Sequence, residues 1–327
     1  MERIPKTYAE AGVDIDKEEK AIKSLISVID KSGKSNIGFF ANVVDFDNVK
    51  LAFTCDGVGT KILVAEAVGK YDTVGIDLVA MNVNDLLCIG AKPLYLLDYI
   101  AVKNPEPKLL EEIGKGLAKG AKQAGVKIIG GETATIPEML NASFDLAGFC
   151  VGIVDRIIDC SKIKEKDVIL GLPSSGIHSN GLTLARRVLL AKYDLYDELN
   201  GKELWKYLLE PTKIYVRDIL EIIRSFDVKG VAHITGGGFL NIKRLNKSFD
   251  YVIENLPEPQ IIFKEIQKIG KISDEEMFKT FNMGVGMILI VAREDAEEII
   301  SKFDAAGIGY VRKGNGKVIL KENKIIL

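Results

Sequence analysis

Between residues 94 and 154 the sequence changes its hydrophobic period repeatedly, and this alternation constrains the chain more than any single motif. Residues 94–102 read as an apolar strand and 107–124 as an amphipathic helix. Residues 126–129 read as a strand ending at Gly130-Gly131, and 144–154 as another strand. A strand with one apolar face must bury it against another layer, so strand–helix–strand units demand a sheet with helices packed on it. The same alternation extends outward. Ile15, Ala21, Ile22, Leu25, Ile26 and Ile29 fall on one face of a helix over 14–31, and 49–54 reads as a strand. Residues 77–89 read as a helix, with Asp77 near its positive end and Gly90 and Pro93 closing it. Downstream, 168–172 reads as a strand and 174–181 as a turn. Helices are expected from about 182, over 216–224, from about 263 and over 295–303, with strands near 231, near 287 and at the C-terminus. The fold class is therefore α/β (α+β).

The 327 residues, 47% of them hydrophobic, are enough for two cores. The polar stretch 160–166 is the natural boundary, giving domains 1–163 and 164–327. With 44 Lys plus Arg against 46 Asp plus Glu, the net charge of -2 lacks the basic excess that nucleic acid binding usually requires. The first twenty residues are charged and lack the apolar core of a signal peptide. The longest apolar run, 284–292, is about half of the roughly 20 residues needed to span a bilayer, so it is expected to be a buried strand. Together these features predict a cytoplasmic location, without nucleic acid or membrane partners. The 4 cysteines form no C-x-x-C pair, so neither a disulfide framework nor a zinc site is expected.

Four stretches carry chemistry. Asp56-Gly57-Val58-Gly59-Thr60-Lys61 combines a carboxylate, two glycines, a hydroxyl and an ammonium, the groups a metal-bound polyphosphate needs. Its spacing is not that of a P-loop, and a simple D-G turn would read the same way. On the 77–89 helix, Asn82 and Asp85 are three apart and share a face, with Asn84 alongside. Such oxygen ligands suit magnesium. They sit among Val79, Met81, Val83, Leu86 and Leu87, where an unpartnered carboxylate would be costly. A third carboxylate, Glu132, lies between Gly131 and Thr133 just after a strand, the usual place for site residues in α/β sheets. In the second half, Ser174, Ser175, Gly176, His178, Ser179 and Asn180 precede a helix, a composition fit to cradle phosphate. His178 and His233 are the only histidines, and both adjoin glycine-rich turns, the second containing Thr235, Gly236 and Gly237. Structural and functional roles stay open for both.

Taken in order, nine motifs resemble the phosphoribosylformylglycinamidine cyclo-ligase family over nearly the whole chain. They are YAEAGVD at 8–14, DGVGTK at 56–61, GIDLVAMNVNDL at 75–86, GGETA at 130–134, GFCVGIV at 148–154, SSGIHSNG at 174–181, PTKIYV at 211–216, HITGGGF at 233–239 and FNMGVGM at 281–287. The resemblance implies an N-terminal domain that pairs with its dimer mate to form a shared β-barrel, and a C-terminal α/β sandwich domain that binds substrate. It implies ATP near the dimer interface, Mg2+, and formylglycinamidine ribonucleotide as substrate, cyclised to aminoimidazole ribonucleotide in purine biosynthesis.

With the resemblance, the residue reading assigns metal to Asp56, Asp85 and Glu132, and a phosphate contact to Lys61. Catalytic roles fall to Asp56, Lys61, Asp85 and His178. Gly57, Gly59, Thr60, Asn82, Asn84, Gly131 and Thr133 complete the nucleotide set. Substrate falls to Ser174, Ser175, Gly176, His178, Ser179, Asn180, His233, Thr235, Gly236, Gly237 and Asn282. One departure is the stretch 36–41, with one glycine where family members commonly carry several, so lid behaviour does not carry over. The rival readings are another enzyme of the superfamily, such as a thiamine monophosphate kinase, and a non-catalytic nucleotide sensor. The full motif series argues against the first. The retained acids argue against the second.

Overall fold

The computed structural model describes residues 4–30 and 38–327, so Asn36 and Ile37 of the glycine-poor stretch lie outside it. The first helix, α1 (Ile15–Ile29), begins where Asp14 caps it by accepting the Lys17 N–H at 3.0 Å. Strands β1 (Asn42–Phe46) and β2 (Val49–Gly57) then form a hairpin in which Phe46 faces Val49. The two-residue turn holds Asp47 at φ 50, a conformation that this turn type needs and Asp tolerates. Next come α2 (Ile62–Val68), α3 (Val74–Leu87), β3 (Lys92–Val102), α4 (Pro107–Ala124), β4 (Lys127–Thr135) and β5 (Phe144–Ile153). They build a curled five-stranded sheet of order β1-β2-β5-β3-β4. Only β3 and β4, joined through α4, run parallel, as a helical crossover requires.

Helix α3 covers one face of this sheet, packing on β2, β3 and β5. The opposite face keeps Phe53, Tyr95, Leu97, Tyr99 and Phe149 exposed. Outside α3 lies α4, and the two helices cross at Gly75 and Gly116. A Cβ on Gly116 would sit 2.6 Å from the Asp72 carbonyl oxygen, and one on Gly75 would collide with the backbone of Leu117 and Ile113. Gly116→Ala must therefore push the helices apart. It is expected to destabilise the fold by about 1–3 kcal/mol, read as a lower denaturation midpoint at unchanged slope.

The second half comprises β6 (Val168–Pro173), α5 (Leu182–Leu189), β7 (Glu198–Leu199), β8 (Lys202–Glu203), α6 (Leu204–Leu208), α7 (Val216–Ser225) and β9 (Gly230–His233). It continues through β10 (Phe249–Ile253), α8 (Ile261–Gly270), α9 (Asp274–Thr280), β11 (Val285–Val291), α10 (Arg293–Lys302), β12 (Ala306–Lys313), β13 (Val318–Leu320) and β14 (Ile325–Ile326). Seven of these strands form a sheet of order β14-β13-β10-β12-β6-β11-β9. All seven residues of β11 are buried between β6 and β9, which explains the apolar run seen in the sequence. Among the described residues no helix is long and apolar enough to cross a membrane.

One strand differs from expectation. β4 does not stop at Gly130-Gly131 but pairs with β3 from Lys127 to Thr135, so Gly131, Glu132 and Thr133 lie on an edge strand and not in a turn after it. The parallel ladder runs on because Gly131 lets β3 come close. A Cβ there would meet the Asp98 carbonyl oxygen at 2.5 Å and its carboxylate at 2.7 Å.

Candidate active site

The end of β2 is fixed to α3 by Asn82. Its Oδ1 accepts the Asp56 N–H at 3.2 Å, while its Nδ2 donates to the Asp56 carbonyl at 3.2 Å and to the Leu78 carbonyl at 2.9 Å. Asn82 is thus fully buried and spent on backbone; it presents Asp56 instead of acting as a second oxygen ligand. The Asp56 carboxylate accepts the Gly57 N–H at 2.7 Å. Its pKa is pushed up to about 7, first by withdrawal from water and then by the like charge of Asp85; the Gly57 N–H and Arg244 oppose this.

Asp85 lies 2.8 Å from Nδ1 of His233, which is buried at the end of β9. The Asn84 amide nitrogen is 3.5 Å from Nε2 of the same ring. An amide NH2 only donates, so Nε2 accepts and Nδ1 carries the hydrogen that Asp85 receives. Asn84 also donates to the Lys213 carbonyl at 2.9 Å and accepts the Tyr215 N–H at 3.1 Å. The sequence grouped Asn84 with the nucleotide and His233 with the substrate. The structure uses both to hold α3 against the second half of the chain.

Glu132 does not join the acidic pair within one chain. Asp56 faces Gly148, Gly148 faces Asp98 and Asp98 faces Gly131, so Glu132 is three strand spacings away, about 14 Å along the sheet. Among the described residues no group of three or more His, Cys, Asp or Glu side chains is arranged to hold a metal. Thr133 is exposed on the same edge strand.

Lys61 departs further from its expected role as a phosphate contact. It closes the 3-10 turn Gly59–Lys61, and its side chain is wholly enclosed. There Nζ donates to Asp77 Oδ1 at 2.8 Å and to the Glu210 carbonyl at 2.5 Å, in the second half. Burial pushes its pKa down, and Asp77 opposes that shift. The preceding Thr60 shares a hydrogen bond of 2.9 Å with Thr183. Gly59 adopts φ 68, which favours glycine, and a Cβ on Gly57 would crowd the Leu146 carbonyl oxygen at 3.0 Å, so both glycines suit the local backbone.

The 174–181 turn is held from inside. Ser174 donates to Asn282 Oδ1 at 2.9 Å, and Asn282 Nδ2 donates to the Gly176 carbonyl at 2.8 Å. Ser175 donates to the Pro211 carbonyl at 2.5 Å, and Ser179 shares 3.1 Å with the Thr212 hydroxyl. His178 adopts φ 65 and is 2% exposed, with Nε2 accepting the Ser175 N–H at 3.2 Å and the Lys213 N–H at 3.5 Å. Burial, then the fields of His233, Lys61 and Lys213, hold its pKa well below the ordinary imidazole value, so the ring is neutral. Nδ1 then carries a hydrogen with no partner among the described residues. Nearby, the Asn180 side-chain oxygen borders Gly236, where a Cβ would sit at 3.1 Å, and its Nδ2 also has no partner among the described residues. Asn241 secures the Gly236–Gly237 turn by donating to the Gly236 carbonyl at 2.9 Å, and the Thr235 carbonyl accepts the Gly238 N–H at 2.9 Å.

An open cleft of about 470 Å³ adjoins this turn, lined by Ser175, residues 210–214, Lys119, Gln123 and Arg217; none of Asp56, Asp85 and Glu132 lines it. Several residues that bear on the site were not singled out from sequence. Asp77 and Thr212 anchor Lys61 and Ser179, and Arg244 lies 4.8 Å from the Phe40 ring centroid while its charge acts on Asp56. Tyr8 crosses to the second half, its N–H donating to Glu276 at 2.6 Å and its hydroxyl lying near Gly181 and Thr183. Tyr8, Asp77 and Thr212 stood in recognised motifs without being assigned to the site, and Arg244 stood in none.

Residues 40–154 match the family described as AIR synthase related protein, N-terminal domain, and residues 164–321 match its C-terminal domain. The phosphoribosylformylglycinamidine cyclo-ligase of Thermococcus kodakarensis is 53% identical over 306 residues, covering 90% of each chain. That of Pyrococcus furiosus is 52% identical over 328 residues, covering 96% of this chain and 97% of the relative. Among solved structures, AaThiL complexed with AMPPCP and TMP shares the fold at TM-score 0.70 and 20% identity, over 93% of this chain and 94% of that one. The motif series, the two matched domains and the identity over nine tenths of the chain lead to one conclusion: this chain belongs to the phosphoribosylformylglycinamidine cyclo-ligase family.

Proposed function

We propose that the chain uses ATP to close the imidazole ring of formylglycinamidine ribonucleotide, giving aminoimidazole ribonucleotide, ADP and phosphate, in the cytoplasm and as a homodimer. The observation that carries this reading is 53% identity, over 90% of the chain, to a relative of that name. Residues 1–163 would carry the nucleotide and residues 164–327 the substrate.

The donor set fits magnesium. Asp56, raised to about 7 by burial and then by the like charge of Asp85, forms with Asp85 a pair suited to a divalent cation, and magnesium takes one or two carboxylates with phosphates and water. Asp56 and Asp85 would hold it, and when bound it would offset phosphate charge. We leave Glu132 out of this set because it lies too far along the sheet within one chain. Arg244, whose charge already acts on Asp56, replaces Lys61 as the cation facing the phosphates.

The remaining work is positioning. The formamide oxygen of the substrate attacks the γ-phosphorus of ATP and ADP leaves. The amidine nitrogen then attacks the activated carbon, and the carbon–oxygen bond breaks with release of phosphate. Orienting the two reactants can remove roughly 7–11 kcal/mol of barrier in well-aligned cases. Asn180 Nδ2 and the Gly236–Gly237 turn are available to hold an anionic substrate, and neutral His178 holds the turn in shape.

Substrate carrying heavy oxygen in the formamide group tests the path, because the bond broken at ring closure is carbon to oxygen. All label is expected in inorganic phosphate, read by mass spectrometry, and none in ADP. Label released into water would sink the mechanism, and absence of cyclised product would sink the function.

A further inference from the structure

Four motifs far apart in the sequence meet in one enclosed chain of hydrogen bonds. Asp77 Oδ1 accepts from Lys61 Nζ at 2.8 Å, from the Thr212 N–H at 2.7 Å and from the Thr212 hydroxyl at 2.6 Å. Thr212 has one hydroxyl hydrogen, given to Asp77, so its oxygen accepts from Ser179 at 3.1 Å. Lys61 and Asp77 are both fully buried, Thr212 is 2% exposed and Ser179 8%. Lys61 also holds the Glu210 carbonyl and Asn84 the Lys213 carbonyl, so with Asp77 on Thr212 the 210–213 segment is gripped at three points from the first half. That segment in turn grips the 174–181 turn at Ser175, His178 and Ser179.

The opposite end of the same rod is Asp85. Asp77 and Asp85 both lie on α3, eight residues and about 12 Å of helix rise apart. Any shift of α3 thus moves a candidate metal ligand and the anchor of the substrate turn together. We propose that Lys61 and Asp77 are positioning residues that set the 174–181 substrate turn against the nucleotide site, and that Lys61 does not contact ATP. This rests on the functional reading above, in which that turn borders the substrate.

Removing Lys61 alone leaves a buried, unpaired carboxylate, whereas removing both charges does not. Lys61→Met is therefore expected to lower kcat/KM for formylglycinamidine ribonucleotide on the order of tenfold to a hundredfold, as misplacement of reactants does, while AMPPCP binding by calorimetry stays at the wild-type value. Adding Asp77→Asn, which keeps an oxygen acceptor for Thr212, is expected to restore most of the loss. Thr212→Val, nearly isosteric and without charge change, should raise KM for the substrate and leave AMPPCP affinity unchanged.

If Lys61 touched the phosphates, Lys61→Met would weaken AMPPCP binding and the second substitution would rescue nothing. That outcome overturns the proposal, as does an unchanged substrate KM in Thr212→Val, a variant that keeps the ion pair and so tests the proposal even if the others fail to fold. The wild-type protein is assayed first. Lack of turnover there refutes the functional reading separately, because AMPPCP binding is scored without turnover.

Discussion

Asp85→Asn is expected to lower kcat/KM on the order of 10²- to 10³-fold, the cost of removing one preorganised electrostatic contact from a transferring phosphoryl group. The fold should survive. Asn keeps an oxygen that can accept the His233 Nδ1–H, now made at 2.8 Å, so the α3–β9 contact is retained while the charge is lost. A melting curve separates the two effects. A pH series adds a second signature, since metal ligands must be deprotonated to bind. Asp56 is raised to about 7 by burial and then by Asp85, so magnesium affinity in the wild type should climb as pH rises through 7. Removing the Asp85 charge takes away the second cause and leaves the first, so in the variant the climb should move to lower pH. The linkage for stability has the opposite sign. Without metal the native state holds the Asp56 proton from its ordinary value of 3.8 up to about 7 while the unfolded chain does not, so stability falls as pH rises through that window. Near wild-type activity of Asp85→Asn at limiting magnesium would remove Asp85 from the site.

Phe149→Glu is expected to convert the proposed homodimer into a folded monomer with greatly reduced turnover. Phe149 is 47% exposed on the uncovered face of the first sheet, opposite Cys55 on β2 and Leu97 on β3. Phe53, Tyr95 and Tyr99 extend the same apolar surface. Contiguous apolar area of this kind marks an interaction site, and sheets that join face or edge with a second copy remove it from water. Within one chain a glutamate at this position points to solvent and costs little. In a dimer it would bury a carboxylate in an apolar contact, which is strongly unfavourable. Light scattering reads the mass and calorimetry the folding. A wild-type monomer at micromolar concentration would contradict the homodimer, and a Phe149→Glu protein that stayed dimeric would move the interface elsewhere.

Much of this protein was legible from local pattern alone. Pro107–Ala124 shows the helical period and β11 shows an apolar run; each depends on neighbours within a few residues. The β1–β2 hairpin could also have been read, from Asp47-Asn48 between apolar runs. Asp56, Asp85 and Glu132 were identifiable as candidates because each stands in a ligand-suited motif. What a charge would be used for was not. Lys61 looks like a phosphate contact in sequence, since an ammonium after a glycine turn is visible and its partners, 16 and 149 residues away, are not. Likewise Glu132 resembled a third ligand until β4 continued through it and placed it across the sheet from Asp56. Periodicity and turn chemistry are short-range, so the sequence by itself determined the larger helices and strands and their order, and offered Asp56, Asp85 and Glu132 without showing which stand together. Which buried groups satisfy one another depends on contacts between distant segments, and only the tertiary structure decided that Lys61, Asn84 and His233 join the two halves of the chain.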